Sequence, residues 1–471
     1  MKKVLSLPSV LPQWLHAGSV YARSTHFALP IPDGARLRLA AGWFVLALAA
    51  LVGAGLLSVL LVLSRAPYLQ NLFPLADFFH VALVVHVDLS VLVWFVAFAG
   101  VLWTLNSTAR YLELARLALV LCLIGTGLML SAPFLGRGGP VMSNYVPVLE
   151  DPLFLSGLIV FGAGFVIMTL RSLLAPAKVG LPLDGQGALR FGLNTATVSA
   201  AVALLALALS YRAIPPGYLG KPFYEMLFWG SGHVIQFTWT LLMLVAWLWL
   251  ASLCGARIPL TPRVAVLLFA VGLASVFVVP IIYLAWPVAS VEHTHMLTWL
   301  MRFGGGLAVL PLGLAVLIGL LRAVPAGAET RPLRAALISS MILFSVGGSI
   351  GFLIQGSDVR IPAHYHGCIV GVTLAMMGIA YALLPRFGLV VATPRLATQQ
   401  PWIYGAGQLL HIIGLVWSGG YGVQRKVAGS EQVLRSTQEV VGMGLMGIGG
   451  LIAILGGLLF LVVVWQAWRR R

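Results

Sequence analysis

Eight of the ten histidines of this chain lie in or at the edge of long apolar stretches, where a polar side chain tends to mark a function, and six of them form the candidate metal set. Imidazole nitrogens bind iron and copper well, so the set points to redox chemistry at metal ions. A single membrane histidine can equally be a hydrogen-bonded contact between helices. The metal hypothesis therefore requires that the histidines come together; they are His86, His233, His293, His295, His364 and His366.

The pair His364 and His366 carries the most specific chemistry. Two residues that are two positions apart on an α-helix point about 200° apart, so the pair cannot face one site but can face two. Each imidazole could give an axial bond to a separate haem iron. His86 could then complete a bis-histidine low-spin haem. His80 competes with it from another helical face, but the distance of His86 from the cytoplasmic end of its span fits better.

The remaining histidines indicate a second kind of metal site. His233 directly follows the run Leu227–Gly232, whose small residues would let a bulky cofactor approach. His293 and His295 could bind one metal only where the backbone leaves the regular helix, and a helix end is predicted there.

The elements that must position these residues are transmembrane helices. The chain has 471 residues, of which 60% are hydrophobic and 9% charged, and its mean hydropathy is +0.99, which exceeds what a soluble core can bury. We predict an all-α membrane protein with about twelve transmembrane helices in one bundle over 39–471, after a cytoplasmic N-terminal segment, 1–38. The stretches 134–151 and 174–190 are interpreted as ordinary interhelical loops. A span needs roughly 20 apolar residues, and such stretches lie near 39–63, 80–104, 115–133, 152–173, 191–211, 227–253, 264–291, 303–322, 333–355, 363–385, 402–420 and 440–466.

The distribution of basic residues predicts the topology. The net charge of +16 is spread over loops, which argues against a nucleic-acid partner. If the N-terminus is cytoplasmic, 20 of the 29 lysines and arginines lie on the cytoplasmic side, as the positive-inside rule requires. Both termini are then cytoplasmic, and the six histidines come to one depth near the outer face.

These features resemble subunit I of the haem–copper oxidoreductases. The resemblance lies in the twelve spans, the LFWxxGH pattern at 227–233, a histidine pair closing the seventh span, and IPAHYHG at 361–367, where the tenth span is most similar to B-type oxidases. The outer-loop sequence GVQRK at 422–426 is similar to the family's basic pair that binds haem propionates.

The resemblance implies a role for each residue and a set of cofactors: two haems, one low-spin and one high-spin, and one non-haem metal, copper or iron. It implies that His86 and His366 ligate the low-spin haem, His364 the high-spin haem, and His233, His293 and His295 the non-haem metal, with Arg425 and Lys426 on the propionates. His411 is interpreted as a packing or propionate-side residue, and His16 and His26 as surface groups.

The sequence departs from the family pattern one turn after His233. Oxygen-reducing A and B types have a redox tyrosine there, and nitric oxide reductases usually have an iron-binding glutamate, but this chain has Phe237. At the C-type tyrosine position it has Pro287. Glu292 is predicted as a catalytic replacement, and Gln236 is the other polar neighbour.

The leading hypothesis is therefore a respiratory enzyme that reduces NO to N2O, which needs no redox tyrosine. The alternative is an oxygen reductase of the cytochrome c oxidase type with an unusual radical residue: Tyr365, which is predicted to be catalytic, or Trp239 or Trp286. A third hypothesis is a transporter or non-catalytic haem-binding membrane protein.

The chain contains no Cys-x-x-Cys-His motif and no copper-binding cysteine pair. Electrons are therefore expected through a separate membrane-anchored subunit of cupredoxin or cytochrome c type, from a soluble cytochrome c or cupredoxin. We predict a bacterial inner-membrane protein with its active site toward the periplasm. Asp88 and Glu225 lie near the outer side, which predicts proton uptake from outside without pumping.

Overall fold

The structure is a computed structural model that describes residues 26–69, 76–136, 138–323, 327–354, 356–391, 393–428 and 431–470, with only the backbone of 76 and 77. His16 and most of the predicted N-terminal segment 1–38 lie outside the described residues. His26 is exposed, in line with a surface role.

Helices dominate the described chain. The first half of the bundle contains α1 (Ala35–Leu63), α2 (Ala76–Val87), α3 (Trp94–Leu105), α4 (Leu112–Leu135), α5 (Pro152–Leu174), α6 (Gly185–Ala213) and α7 (Gly220–Leu253). The second half contains α8 (Pro262–Ala274), α9 (Val279–Ala285), α10 (Val291–Trp299), α11 (Val309–Arg322), α12 (Arg331–Phe352), α13 (Arg360–Leu383), α14 (Pro394–Gly420) and α15 (Thr437–Arg469).

The predicted all-α membrane fold is confirmed. Among the described residues, eleven continuous helices are long and apolar enough to cross a membrane. Helix α14 stands at the position of the eleventh predicted span and is 27 residues long, but it is not among those eleven. It carries glutamines and a histidine, and it packs along α12, α13 and α15. With α14, the described part of the chain has twelve long helical segments. The topology of the termini remains a prediction.

Two helices form the centre of the bundle. Of the most apolar 18 residues of α7, 89% are buried within the chain, and the share in the helix Arg360–Phe387 is 83%. In the other candidate spans the share is 28–61%. These two helices carry His233, His364 and His366, so three of the six candidate ligands lie on the best-enclosed elements.

The second span contains a short π-helix. Residues Asp88–Val93 form it between α2 and α3, directly after His86 and Val87. A second π-helix, Leu300–Gly304, joins α10 to α11. Such segments are rare and occur frequently at functional sites because they shift the phase of the side chains.

The boundary of the seventh span differs from the prediction of 264–291. The span ends at Ala285, and Trp286 is extended because the following Pro287 disfavours the helical conformation before it. A new helix, α10, starts at Val291, and the Ser290 side chain caps it by accepting a hydrogen bond from His293 N. The histidine pair therefore opens the eighth span and does not close the seventh.

The outer connection between α4 and α5 also differs from an ordinary loop. It contains an antiparallel hairpin of two short strands, β1 (Pro140–Val141) and β2 (Val148–Leu149). The tip of this hairpin points a tyrosine into the bundle.

Candidate active site

His233 lies in a fixed orientation on α7. Its Nδ1 lies 2.7 Å from the carbonyl oxygen of Trp229, and since a carbonyl only accepts, Nδ1 carries the proton. Nε2 therefore presents its lone pair. That lone pair accepts a hydrogen bond from the Tyr145 hydroxyl at 2.9 Å.

Tyr145 comes from the hairpin tip and was not expected at the site. Its φ of +69° is unusual for a residue with a side chain. Its ring contacts those of His233 and Trp229, with centroid distances of 4.8 and 5.9 Å. Gln236 also hydrogen-bonds its side chain, and burial raises the pKa of the phenol.

The glycines before His233 accommodate tyrosines, whereas the sequence suggested that they make room for a cofactor. A Cβ on Gly232 would lie 2.1 Å from Cγ of Tyr145, and a Cβ on Gly230 would lie 2.0 Å from the hydroxyl oxygen of Tyr283. Both distances are prohibitive. The glycines therefore let two tyrosines approach α7 closely.

His293 approaches His233 from α10. It is 1% exposed, and its Nε2 is buried without a hydrogen-bond partner in the described chain. Its ring packs on that of Tyr283, with centroids 4.7 Å apart, and it interacts electrostatically with His233. Two imidazoles thus converge on one region.

The structure does not bring His295 to this region. The backbone from His293 to His295 is regular α-helix, so the two side chains point in opposite directions, and His295 is exposed. Within the described ranges no group of three or more His, Cys, Asp or Glu side chains could hold a metal ion. The expected three-histidine set is therefore not assembled.

Glu292 lies on the same face of α10 as His295 and not on that of His293. The two residues are three positions apart on α10 and so share a face, and Glu292 is exposed. The predicted catalytic role of Glu292 consequently has no support from its placement. Phe237 is 1% exposed in an apolar cluster with Val234 and Leu297, so no oxygen ligand occupies its position.

His364 and His366 have the two-sided arrangement that their spacing predicts. His364 Nδ1 lies 2.7 Å from the carbonyl oxygen of Gly347 on the neighbouring α12. His366 Nδ1 lies 2.7 Å from the carbonyl oxygen of Pro362 on its own helix. Each carbonyl fixes the proton on Nδ1 and leaves the Nε2 lone pair, which is the form that binds a metal ion.

His86 is also oriented by a backbone carbonyl, and it lies near His366. Its Nδ1 lies 2.9 Å from the carbonyl oxygen of Ala54, and it is close enough to His366 to interact with it electrostatically. His80 instead faces the outer loop, where its Nε2 is 3.2 Å from the carbonyl oxygen of Lys426. This geometry favours His86 over His80 as the ligand on the second span.

His411 on α14 lies against His366, with ring centroids 4.9 Å apart. Its Nδ1 is 2.9 Å from the carbonyl oxygen of Met446. Imidazoles on opposite sides of one ion have ring centroids roughly 6 Å apart, from bonds of about 2.0 Å. The direct ring contact therefore fits a packing neighbour, as expected for His411, and not the opposite axial ligand.

Cationic side chains gather at one end of these helices. Lys426 Nζ donates to the carbonyl oxygen of Met142 at 2.7 Å, and both Lys426 and Arg425 donate to Asn144 Oδ1 at 3.3 Å. Burial, and then the charge of Arg425, lower the pKa of Lys426 to about 8. The negative charge of Glu225 only partly offsets this lowering.

Arg65 is a third cation of this group and was not singled out from the sequence. It donates to Gln432 Oε1 and to the carbonyl oxygen of Gln424, both at 3.3 Å, and burial lowers its pKa to about 10. It also interacts electrostatically with Tyr365. Tyr365 is 39% exposed and stacks on His366, with centroids 4.9 Å apart.

Two carboxyl groups belong to the helical segments that carry candidate ligands. Glu225 accepts from the backbone nitrogen and from Nδ2 of Asn144, at 3.1 and 2.9 Å, and so holds the hairpin tip to α7. Asp88 starts the π-helix, is 1% exposed, and has no partner for either oxygen within the described part of the chain.

The residues fit two haems well and the third metal in part. His364 and His366 on α13, and His86 near them, each have an Nε2 lone pair for an iron, and cationic side chains for propionates lie nearby. His293 Nε2 is buried without a hydrogen-bond partner in the described chain, near His233.

A match to known proteins decides the family. The model for Cytochrome C and Quinol oxidase polypeptide I matches residues 38–459. The chain belongs to the haem–copper oxidase subunit I family.

Similar proteins agree with this assignment. An uncharacterized protein of Rickettsia prowazekii is 26% identical over 498 residues, covering 90% of this chain and 95% of that protein. Another from Aquifex aeolicus is 28% identical over 361 residues, covering 74% and 84%. Cytochrome c oxidase subunit 1 of Thermus thermophilus is 26% identical over 266 residues, covering 50% and 46%.

The fold of this haem–copper subunit also matches that of a haem–copper terminal oxidase dimer solved by cryo-EM. The TM-score is 0.74 at 16% identity, over 93% of this chain and 84% of that one. Family membership makes the protein an integral membrane oxidoreductase. Haem–copper subunits generally bind two haems and a copper or iron centre.

Sequence reasoning missed Tyr145 and Arg65 in this haem–copper subunit. Tyr145 precedes His233 by 88 residues and lies in a loop whose composition carries no signal. Arg65 had one available signal, since it is a basic residue directly after the first span on the side that should be depleted in positive charge.

Proposed function

We propose that this chain is the catalytic subunit of a respiratory enzyme that reduces NO to N2O. The observation that carries the proposal is Phe237, which is buried among apolar side chains one turn after His233. An oxygen reductase of the A or B type would need a redox tyrosine there. The reduction of two NO molecules takes two electrons and two protons and requires no electron from a side chain.

The chain's own residues would hold the cofactors in distinct places. His86 and His366 would hold the low-spin haem, His364 the high-spin haem, and His233 with His293 the non-haem metal. The bound haems and metal supply one-electron transfer and a place for NO. The carbonyl contacts on Nδ1 keep the imidazoles oriented and raise their basicity as ligands.

The outer cations would bind the haem propionates. Arg65 and Arg425 interact electrostatically with Tyr365, which stacks on His366, and Lys426 follows Arg425 in the chain. Burial lowers the pKa of Lys426, and a propionate would favour its charged form through a charge-assisted hydrogen bond.

The electron donor would bind at the same outer side. Since the chain has neither a haem c attachment motif nor a copper-binding cysteine pair, a membrane-anchored partner of cupredoxin or cytochrome c type would receive electrons from a soluble cytochrome c or cupredoxin. The protein would lie in a bacterial inner membrane, with the site toward the periplasm.

The test is steady-state consumption of NO and of O2 by the purified complex with an artificial electron donor. We expect NO consumption with N2O as product and slow O2 consumption. Fast, cyanide-sensitive O2 reduction with negligible NO turnover would refute the substrate and leave the family unchanged.

Oxygen reduction remains the second candidate because of one specific contact. The Tyr145 hydroxyl lies 2.9 Å from His233 Nε2. A phenol is therefore present beside this candidate ligand, although it comes from a different position in the sequence than the family's redox tyrosine. Neither Trp239, which packs on Phe95, nor Tyr365 offers a comparable contact with His233.

A further inference from the structure

Three arginines form a cluster at the end of the bundle where α1, α4 and α6 begin and where α3 and α5 end. Arg36 interacts electrostatically with both Arg171 and Arg190. Helix α1, with 29 residues, separates this arginine cluster from Arg65 by about 40 Å, at 1.5 Å per residue. The arginine cluster is therefore distinct from the cations near the candidate haem ligands.

The loops after α3 and α5 hold the arginine cluster in place. They run side by side through an isolated antiparallel bridge between Ser107 and Pro176. Carbonyl oxygens of these loops accept hydrogen bonds from all three guanidinium groups. The pairs are Arg36 with Ser107, Arg171 with Thr108 at 2.8 Å, and Arg190 with Lys178 at 2.6 Å. Neutral carbonyls orient the cations but do not compensate their charges.

Carboxylates of the chain do not compensate these charges either. Within the described ranges none of the three arginines forms an ion pair. Glu113 is paired with Arg116, and Asp184 caps α6 and interacts electrostatically with Arg190. The residues before α1 that the structure does not describe, 1–25, contain neither aspartate nor glutamate. A full counter-charge for the cluster therefore has to come from another molecule.

Arg171 makes the need for an anion most acute. It is 2% exposed, and its Nε is buried without a hydrogen-bond partner in the described part of the chain. A charge that is removed from water without an opposite charge is costly, and buried arginines are normally paired. The cluster thus has the properties of an anion-binding site.

The surroundings of the cluster favour a lipid over a soluble anion. Because α1 begins at Ala35 and α5 ends at Leu174, the cluster lies at the ends of spans, where the lipid head groups are located. Leu170, Leu173 and Leu174 are exposed beside Arg171, on a helix that is apolar enough to cross a membrane. Acyl chains would cover this surface next to the cations.

We propose that Arg36, Arg171 and Arg190 bind the phosphate group of an anionic phospholipid whose acyl chains lie along α5. Guanidinium groups bind phosphate oxygens through charge-assisted hydrogen bonds. Under the predicted topology the site belongs to the cytoplasmic leaflet, and basic pockets between transmembrane helices on that side bind anionic head groups. The bound lipid would join the ends of α1, α5 and α6.

The test measures the binding of defined lipids to the delipidated, intact complex by native mass spectrometry. The variant combines Arg36→Gln with Arg190→Gln, because these two side chains are only partly buried. The matched control, Arg395→Gln, removes an exposed charge from the first turn of α14. We expect phosphatidylglycerol to bind equally to the wild type and the control, and more weakly to the double variant, on the order of tenfold or more. The low-spin haem spectrum verifies that each variant is folded.

Two further probes identify the source of the phosphate. Phosphatidylcholine carries a phosphate group but no net charge, so it should bind the wild type more weakly than phosphatidylglycerol does and should not distinguish the wild type from the double variant. Inorganic phosphate in excess should not displace phosphatidylglycerol, because it lacks the acyl chains that contact α5.

Four results would overturn the inference. Equal affinity of the wild type and the double variant for phosphatidylglycerol would exclude the arginines from the site, and equal affinity of the wild type for the two lipids would exclude recognition of the anionic charge. Displacement by inorganic phosphate would assign the site to a soluble anion. Failure of the wild-type complex to bind phosphatidylglycerol would show that no lipid occupies the cluster, as when a partner subunit's carboxylates cover it.

Discussion

At the scale of residues, hydrogen bonds to backbone carbonyls fix the tautomer of four candidate ligands. His86, His233, His364 and His366 each direct Nδ1 to a backbone carbonyl, although they lie on three different helical segments. The backbone thereby orients every ring before any metal binds, which lowers the entropy lost on binding. This common preparation supports the assignment of all four as ligands.

The two histidines of α13 should have separable spectral effects. We expect His364→Ala to remove the high-spin haem and His366→Ala to remove the low-spin haem, because their rings are anchored on opposite sides of the helix. Reduced-minus-oxidised optical spectra and electron paramagnetic resonance would distinguish the components. Loss of one and the same component in both variants would contradict the two-sided arrangement.

The pKa of Lys426 predicts a pH dependence of the low-spin haem. Its pKa is about 8, and a propionate would raise it, so the positive charge is lost as the pH rises through 8 or above. Loss of a nearby positive charge disfavours the reduced haem relative to the oxidised haem, which carries one more positive charge. The midpoint potential should therefore fall with rising pH in that window.

Redox titrations between pH 7 and 10 check this expectation. Lys426→Met should show a lower potential at pH 7 and no fall in the window, and Lys426→Arg should keep the higher potential throughout, since arginine stays charged. Identical profiles for the wild type and Lys426→Met would exclude Lys426 from the propionate site.

At the scale of elements, helix ends decide which side chains meet. The break before α10 follows from Pro287 and the Ser290 cap, and it turns His293 toward α7 while His295 points away. The hairpin between β1 and β2 has a comparable effect, because it delivers Tyr145 from outside the helices. Capping and turn geometry thus decide which side chains lie beside His233.

The cap of α10 should affect the metal site as well as stability. Ser290→Ala removes the bond to His293 N and should destabilise the fold by about 1 kcal/mol. It should also lower the non-haem metal content, because the first turn carries His293. The matched control is Ser436→Ala, the cap of α15, which accepts from Glu439 N.

Thermal unfolding and metal analysis of the two variants provide the comparison. Similar losses of stability with metal loss only in Ser290→Ala are expected. Equal metal content in both variants would mean that the cap does not position His293.

At the scale of the whole molecule, the central helix α7 carries its charged side chains on one side of His233. From residue 237 to residue 252, α7 has no ionisable side chain, whereas Lys221 and Glu225 lie in its first two turns. We therefore expect protons to reach the site from the end of the bundle where Glu225 lies. A proton pump would need a polar track from the other end as well.

Reconstituted vesicles test this asymmetry during NO turnover. We expect protons to be consumed from the outer side only, without outward pumping, and rates that do not respond to an uncoupler. Proton uptake from the cytoplasmic side accompanied by pumping would contradict the expectation.

Much of the molecule followed from local properties of the chain. Hydropathy located all twelve long helical segments, because burial in lipid acts on each stretch of about 20 residues separately, and helical periodicity determined that His364 and His366 face opposite ways. The family motifs around His233 and His364 are equally local. These features needed no knowledge of what lies beside them.

Only the tertiary structure decided which side chains complete the site. His295 was expected at the metal and lies on the wrong face, because the helix resumes at Val291 and stays regular. Tyr145 was not expected and contacts His233 across 88 residues of chain. Such contacts depend on how separate helices and a hairpin pack together, and no local pattern of residues encodes that packing.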